Sequence, residues 1–237
     1  MTATASNPRE FGTLLSGEAG ALASWSQQFQ SRRFATHVAV IVVGAGLYGA
    51  AMGWWRDPMQ ALFVGIKFPL IILLTTLGNA LLNAMLAPLL GLNISLRQSL
   101  LAVLMSFAIT AAILGAFAPL LAFVVWNVPA MTPDVKSTTA YVLIKLLHVV
   151  VIAFAGIAGN VRLYQLLQQL AGHRGVAKRV LTAWLTVNLF LGSQLTWIAR
   201  PFIGAPQLPV AFLRGDALKG NFYENVFHAV TWVLDFD

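Results

Sequence analysis

The sequence predicts an all-α fold, a polytopic transmembrane bundle of five helices followed by a C-terminal interfacial amphipathic helix. Each of five apolar runs has the length that an α-helix needs to cross about 30 Å of hydrocarbon at about 1.5 Å per residue. Only 10% of the residues are charged, whereas about 25% is usual in a soluble domain. We therefore expect the chain to fold in lipid, where backbone amides must pair internally. The runs cover residues 34–54, 61–82, 100–125, 140–160 and 180–198.

The runs divide the chain into three regions. Residues 1–33 are polar and are interpreted as a cytoplasmic N-terminal tail, and residues 34–200 as the five-helix transmembrane domain. The first run closes on Trp54 and Trp55, a tryptophan pair typical of a membrane–water interface. Pro69 and Pro119 lie inside the second and third runs and are expected to kink them. Polar breaks between the later runs are expected at residues 91–93, 127–137 and 162–179.

Residues 201–237 are interpreted as an external loop and an amphipathic helix. Asn221 can cap a helix, and Glu224 follows three positions later, as in a capping box. Apolar positions then recur at helical spacing, with polar positions between them. A helix of about 16 residues is too short to cross a bilayer. We therefore expect it to lie along the outer interface or to dock on the bundle.

The basic residues indicate an orientation. The formal net charge is +7, but the basic residues lie mainly beside the apolar runs, so lipid headgroups explain them better than nucleic acid does. The tail and the second and fourth loops hold eight Lys and Arg, against five on the opposite side. The positive-inside rule then places the N-terminus in the cytoplasm and the C-terminus outside, in a multi-pass protein of the cell membrane. The absence of cysteine excludes disulfides and thiolate metal sites.

Three ionisable side chains lie well inside the apolar runs, and none is acidic. Lys67 and Lys145 are expected at similar depth, one on the second run and one on the fourth, in similar local sequence. Their amines can reach the outer headgroups along apolar surface. Alternatively they point inward and form, with Arg200, a pocket for an anion or a lipid headgroup. His148 lies one turn from Lys145 and either titrates or hydrogen-bonds a neighbouring helix.

Polar uncharged side chains recur inside the same runs. In lipid such groups mostly join helices by hydrogen bonds worth about 1 kcal/mol each, although a polar conduction path is the alternative. Gly49 and Gly53, and the small residues of segment 153–159, favour close approach of helices. The polar positions are Asn79, Asn83, Asn160, Asn188, Ser193, Gln194 and Thr196.

No motif for catalysis, a cofactor or a metal ion is present in the sequence. We therefore expect no enzyme, but a membrane scaffold or accessory subunit that has the lipid bilayer, a second copy or another membrane protein as partner. The alternative is a small channel or transporter for an anion or lipid. It would use an outer-leaflet basic pocket built from Lys67, Lys145, His148 and Arg200.

Several stretches carry a family resemblance. QLTWIARPFIGAP at residues 194–206, followed by GNFYE at residues 220–224, resembles a pattern of uncharacterised bacterial multi-spanning membrane proteins, as do residues 95–98 and 146–149. The span count and orientation resemble the Yip-type proteins. The resemblance covers roughly residues 60–230 and implies a bacterial inner membrane. It implies no activity and no catalytic residues.

Overall fold

The structure, a computed structural model, describes residues 31–131, 139–204 and 208–234. These residues form six α-helices and no strand, which confirms the all-helical prediction for this part of the chain. The N-terminal tail up to residue 30 lies outside it. The helices are α1 (Ser31–Trp54), α2 (Pro58–Leu89), α3 (Leu96–Asn127), α4 (Thr139–Ala171), α5 (Arg174–Ala199) and α6 (Phe222–Leu234).

Each of the five apolar runs lies within one of the first five helices. Within the described residues, α1 to α4 are the helices that are long and apolar enough to cross a membrane. α5 has sufficient length, but it carries three basic residues near its start and several polar residues later on. The structure thus confirms four apolar helices of spanning length, and the fifth crossing remains a prediction.

Local chemistry explains where the helices begin. Asp57 caps α2 by accepting a hydrogen bond from the Met59 amide at 2.7 Å, and Pro58 occupies the first turn, where it costs no hydrogen bond. Ser95 caps α3 in a capping box. Its hydroxyl accepts from the Gln98 amide at 3.2 Å, and the Gln98 side chain accepts from the Ser95 amide at 2.9 Å.

The polar linker predicted at residues 162–179 is wrong. α4 continues to Ala171 and α5 begins at Arg174, so the break is only two residues long. Arg, Gln and Leu are good helix formers, and polarity outside the hydrocarbon does not end a helix. The break occurs at Gly172, whose φ of +64° is a left-handed conformation that glycine adopts readily.

The first five helices run alternately up and down between two ends of the bundle. We call one end of the bundle the Trp55 end; the last residues of α1 and α3 and the first residues of α2 and α4 lie there. The opposite end is called the Gly91 end. α2 packs against α3 and α5, and α4 also packs against α3 and α5, so these four helices form a closed ring. α1 packs outside this ring against α2 and α3.

Glycines bring the helices close together. A β-carbon on Gly44 of α1 would lie 2.2 Å from the Ala111 carbonyl oxygen of α3. One on Gly49 would lie 2.6 Å from the Val64 carbonyl oxygen of α2, and one on Gly53 would lie 2.6 Å from that of Gln60. The close contact predicted for Gly49 and Gly53 is therefore confirmed.

The start of α6 has a side-chain cap and contacts α5. The Asn221 side chain accepts from the Glu224 amide at 2.8 Å. The Tyr223 hydroxyl lies 2.6 Å from the Ser193 hydroxyl and donates to the Phe190 carbonyl at 2.9 Å, which holds the start of α6 against α5. The side chains of the last turns, and residues 235–237, lie outside the described residues.

Candidate functional site

Lys67 lies in the interior and is only 1% exposed. Its Nζ donates to the carbonyl oxygens of Ala199 at 3.1 Å and of Pro201 at 3.2 Å, and it lies 5.4 Å from the centre of the Phe212 ring. Ala199 is the last residue of α5, and the final carbonyls of a helix have no partner within it. The ammonium therefore takes the place of water at the negative end of the α5 dipole.

Two further side chains near the start of α2 hold the segment that follows α5. We call residues 200–221 the return loop. Gln60 is 1% exposed, and its Nε2 donates to the carbonyls of Pro201 and Phe202, both at 2.9 Å. Arg56 Nη2 donates to the Leu208 carbonyl at 3.2 Å. Polar side chains from the start of α2 thus satisfy backbone carbonyls of the return loop.

The other two predicted basic residues differ from Lys67 in their surroundings. Arg200 donates to the Trp197 carbonyl at 3.0 Å, and its guanidinium carbon lies 3.2 Å from the centre of the Trp197 ring. Lys145 is exposed on α4, and its Nζ lies 5.0 Å from the centre of the Tyr141 ring, one turn nearer the Trp55 end. The structure therefore brings Lys67 to the α5 end beside Arg200 and places Lys145 on the outer surface of α4.

His148 connects α4 to α1. Its Nδ1 lies 3.0 Å from the Tyr48 hydroxyl, and both side chains are buried. The two rings meet edge to face with centroids 5.6 Å apart, and the Tyr48 ring lies 6.0 Å from that of Phe68. The expectation that His148 hydrogen-bonds a neighbouring helix is confirmed.

The ring of α2, α3, α4 and α5 surrounds a cavity of about 390 Å³. Its walls carry many of the polar residues predicted from the sequence. Asn79 Nδ2 of α2 donates to Asn188 Oδ1 of α5 at 2.8 Å, which joins two helices across one wall. On α3, the Thr110 hydroxyl lies 3.3 Å from the Ala155 carbonyl of α4. The polar lining residues are Asn79, Asn83, Ser106, Thr110, Asn160 and Asn188.

Three polar atoms of the cavity walls are buried without a hydrogen bond among the described residues. They are Oδ1 of Asn79, Oδ1 of Asn83 and Nε1 of Trp184. Asn79 and Asn83 are each 1% exposed and lie one turn apart on the same face of α2, and Trp184 is 2% exposed. Each such atom costs about 1–3 kcal/mol while it lacks a partner.

Sequence reasoning missed Gln60, Tyr48 and Trp184. Gln60 carried a signal, because a glutamine at the start of an apolar run needs a buried partner when it faces inward. Tyr48 and Trp184 resemble ordinary apolar core residues in the sequence, since aromatic residues are common in such runs. Only the packing of the helices shows which of their polar atoms are buried.

Within the described part of the chain, fold and site together define a class of protein, an all-helical one with four helices suited to a membrane and polar groups in its interior. No family model matches the chain, and no curated protein or solved structure does so either. The resemblance to Yip-type proteins therefore remains a prediction. Within the described residues, no group of three His, Asp or Glu side chains could hold a metal ion.

Proposed function

We propose that the protein is a non-enzymatic integral membrane protein that acts as a scaffold or accessory subunit. It crosses the bilayer five times, with its N-terminus in the cytoplasm and its C-terminus outside. A bacterial inner membrane, as the resemblance to uncharacterised bacterial multi-spanning membrane proteins implies, is part of the proposal.

The observation that carries this proposal is the use made of the buried polar groups. Lys67 binds the end of α5, Asn79 binds Asn188, and Tyr48 binds His148. Each of these bonds joins two elements that are far apart in sequence. Polar groups used in this way favour one fixed arrangement of helices, as a scaffold requires.

Several features support a fifth crossing by α5. Its 26 residues are about 39 Å long at 1.5 Å per residue, more than the roughly 30 Å of hydrocarbon. It packs between α2 and α4, from the Gly91 end to Lys67. Its lower hydropathy has a physical reason, since residues such as Asn188 bond to a neighbouring helix rather than face lipid.

The outer surface of α4 is suited to lipid. Leu143, Val150 and Ile157 repeat at seven-residue spacing and are 59%, 64% and 65% exposed. Such a stripe is stable against hydrocarbon and costly in water. α4 is therefore a peripheral helix whose free face meets lipid or a membrane partner.

The competing function is transport of an anion or lipid through an outer basic pocket. Lys67 already donates to two carbonyls, and Lys145 is exposed on another helix. An anion in this arrangement would find fewer hydrogen-bond donors than in a pocket that both lysines share. The geometry therefore favours the scaffold.

Purification in mild detergent, combined with flux measurements in liposomes, tests this proposal. The expected result is a stable assembly with a second copy or another membrane protein, and no chloride or phosphate flux above that of empty liposomes. A lone 25.6 kDa monomer with flux would contradict it. If flux is observed, Lys67→Met and Lys145→Met are the matched variants. Loss of flux in both would assign transport to the basic pocket.

A further inference from the structure

The cavity inside the helix ring has hydrogen-bonding groups but no charge. Among the described residues that line it, none is acidic, basic or histidine. A charged ligand would lose its hydration there without gaining a counter-ion, which is very costly in a low-dielectric interior. The cavity is therefore suited to a neutral molecule.

Its unpartnered atoms specify the polar part of that molecule. Two amide oxygens, of Asn79 and Asn83, can accept hydrogen bonds, and one indole N–H, of Trp184, can donate one. A hydroxyl group is both donor and acceptor, so it matches both kinds of unpartnered atom. A hydrocarbon can bind neither, and a ketone can bind only the indole.

The rest of the wall is apolar and aromatic, with Phe68, Phe107 and Leu114 among the lining residues. The volume of about 390 Å³ lies in the range of small-molecule sites, which is roughly 300–1,000 Å³. A hydroxyl head with a chain of medium length has both the size and the apolar surface that this wall can bury.

The opening of the cavity lies between α4 and α5. Ile152 of α4 and Leu189 of α5 line the cavity and are also exposed on the outside, at 37% and 70%. Gly156 lines it at the middle of α4, where a β-carbon would meet no atom within 4 Å. The middle of a spanning helix lies in hydrocarbon, so a ligand reaches the opening from the bilayer.

We propose that this cavity binds a neutral, lipid-soluble alcohol of medium chain length, which enters laterally between α4 and α5. The hydroxyl group donates to the Asn79 or the Asn83 oxygen or accepts from the Trp184 N–H, and the chain packs on the apolar wall. Such binding requires α4 to lie in the bilayer and is independent of any scaffold role.

Photolabelling of the full chain in lipid nanodiscs tests the proposal. The probe is a ten-carbon primary alcohol with a diazirine in its chain, and labelled peptides are mapped by mass spectrometry. The expected result is saturable labelling of residues that line the cavity. Excess 1-decanol removes this labelling and excess decane, which lacks the hydroxyl group, does not. Labelling that is spread along lipid-facing residues, or removed equally by both competitors, would overturn the proposal.

Three variants extend the test. Gly156→Phe fills the opening, and Asn83→Leu removes an acceptor with little change in volume. Ala153→Phe places the same side chain at an exposed position of α4 and is its control. We expect cavity labelling to fall about tenfold in Gly156→Phe and about fivefold in Asn83→Leu, as for the loss of one or more buried contacts. Undiminished labelling in the folded Gly156→Phe protein would contradict the opening assigned between α4 and α5. Whether the cavity binds the alcohol is still decided by the competition between 1-decanol and decane in the unmodified chain.

Discussion

At the scale of single residues, Lys67 makes it possible for α5 to end inside the bundle. Measured along α2 at 1.5 Å per residue, Lys67 lies about 14 Å from Pro58, and its Nζ contacts the end of α5, where Ala199 is buried. Because this end is shielded from water, the last carbonyls of α5 need another donor. The Lys67 ammonium supplies it.

Replacing Lys67 by Met is expected to lower the free energy of unfolding by about 1–3 kcal/mol, because the Ala199 carbonyl loses the Lys67 donor and the Pro201 carbonyl loses one of its two donors. Thermal unfolding in detergent measures this loss. Trypsin cleavage after Arg214 should also become faster, since the return loop loses one of its attachments to the start of α2. Lys145→Met is the control, because that side chain is exposed. An equal effect of the two substitutions would contradict the role given to Lys67.

The bond between Tyr48 and His148 gives a second prediction at this scale. Tyr48→Phe removes the hydroxyl and leaves His148 Nδ1 buried without this partner, so a loss of about 1 kcal/mol is expected. A double-mutant cycle with His148→Leu measures the coupling through unfolding in detergent. His148→Leu should lower the free energy of unfolding by less in the Tyr48→Phe protein than in the unmodified protein. Simple additivity would mean that the bond contributes nothing to stability.

The candidate site could be predicted only in part. The sequence predicts that Lys67 and Lys145 are intramembrane cations at similar depth, in similar local sequence. It does not show which of them faces inward, because a helix apolar all round has no amphipathic pattern to fix its rotation. The rotation depends on contacts between helices, including the one between α2 and the end of α5.

At the scale of helices, glycines determine how closely α3 and α4 approach. A β-carbon on Gly159 would lie 2.3 Å from the Thr110 hydroxyl oxygen and 2.7 Å from the Ser106 carbonyl oxygen. Gly156 lies almost one turn earlier on α4, and a β-carbon there would meet nothing within 4 Å. Two glycines of one helix therefore have opposite packing environments.

Gly159→Ala is expected to destabilise the protein by about 1–3 kcal/mol, since α4 must move away from α3. Gly156→Ala should be neutral or stabilising by up to about 1 kcal/mol, because alanine is the better helix former. Thermal unfolding of the two variants in the same detergent compares them directly. A larger loss for Gly156→Ala would show that α3 and α4 do not pack as described.

The helices themselves were largely predictable, because long apolar runs in lipid have few alternatives to a helix. The residues at which the helices end were less predictable. The run at residues 140–160 became a helix reaching Ala171, since polar helix formers extend it beyond the apolar part. The start of α6, in contrast, has a local signal, since the Asn221 side chain accepts from the Glu224 amide there.

At the scale of the whole molecule, the number of crossings determines which surfaces share a compartment. Four described helices are apolar enough to span without further argument, and α5 is not among them. With four crossings the return loop would lie on the side of the N-terminal tail. With five it lies on the opposite side, where the packing of α5 along α2 would place it.

Cysteine accessibility in intact cells tests this central claim most directly, since the chain has no cysteine of its own. Ser16→Cys marks the N-terminal tail. Gly215→Cys marks the return loop, at a position where a β-carbon meets no atom within 4 Å. A membrane-impermeant maleimide is expected to label Gly215→Cys in intact cells and Ser16→Cys only after permeabilisation. Labelling of both positions under the same condition would contradict five crossings.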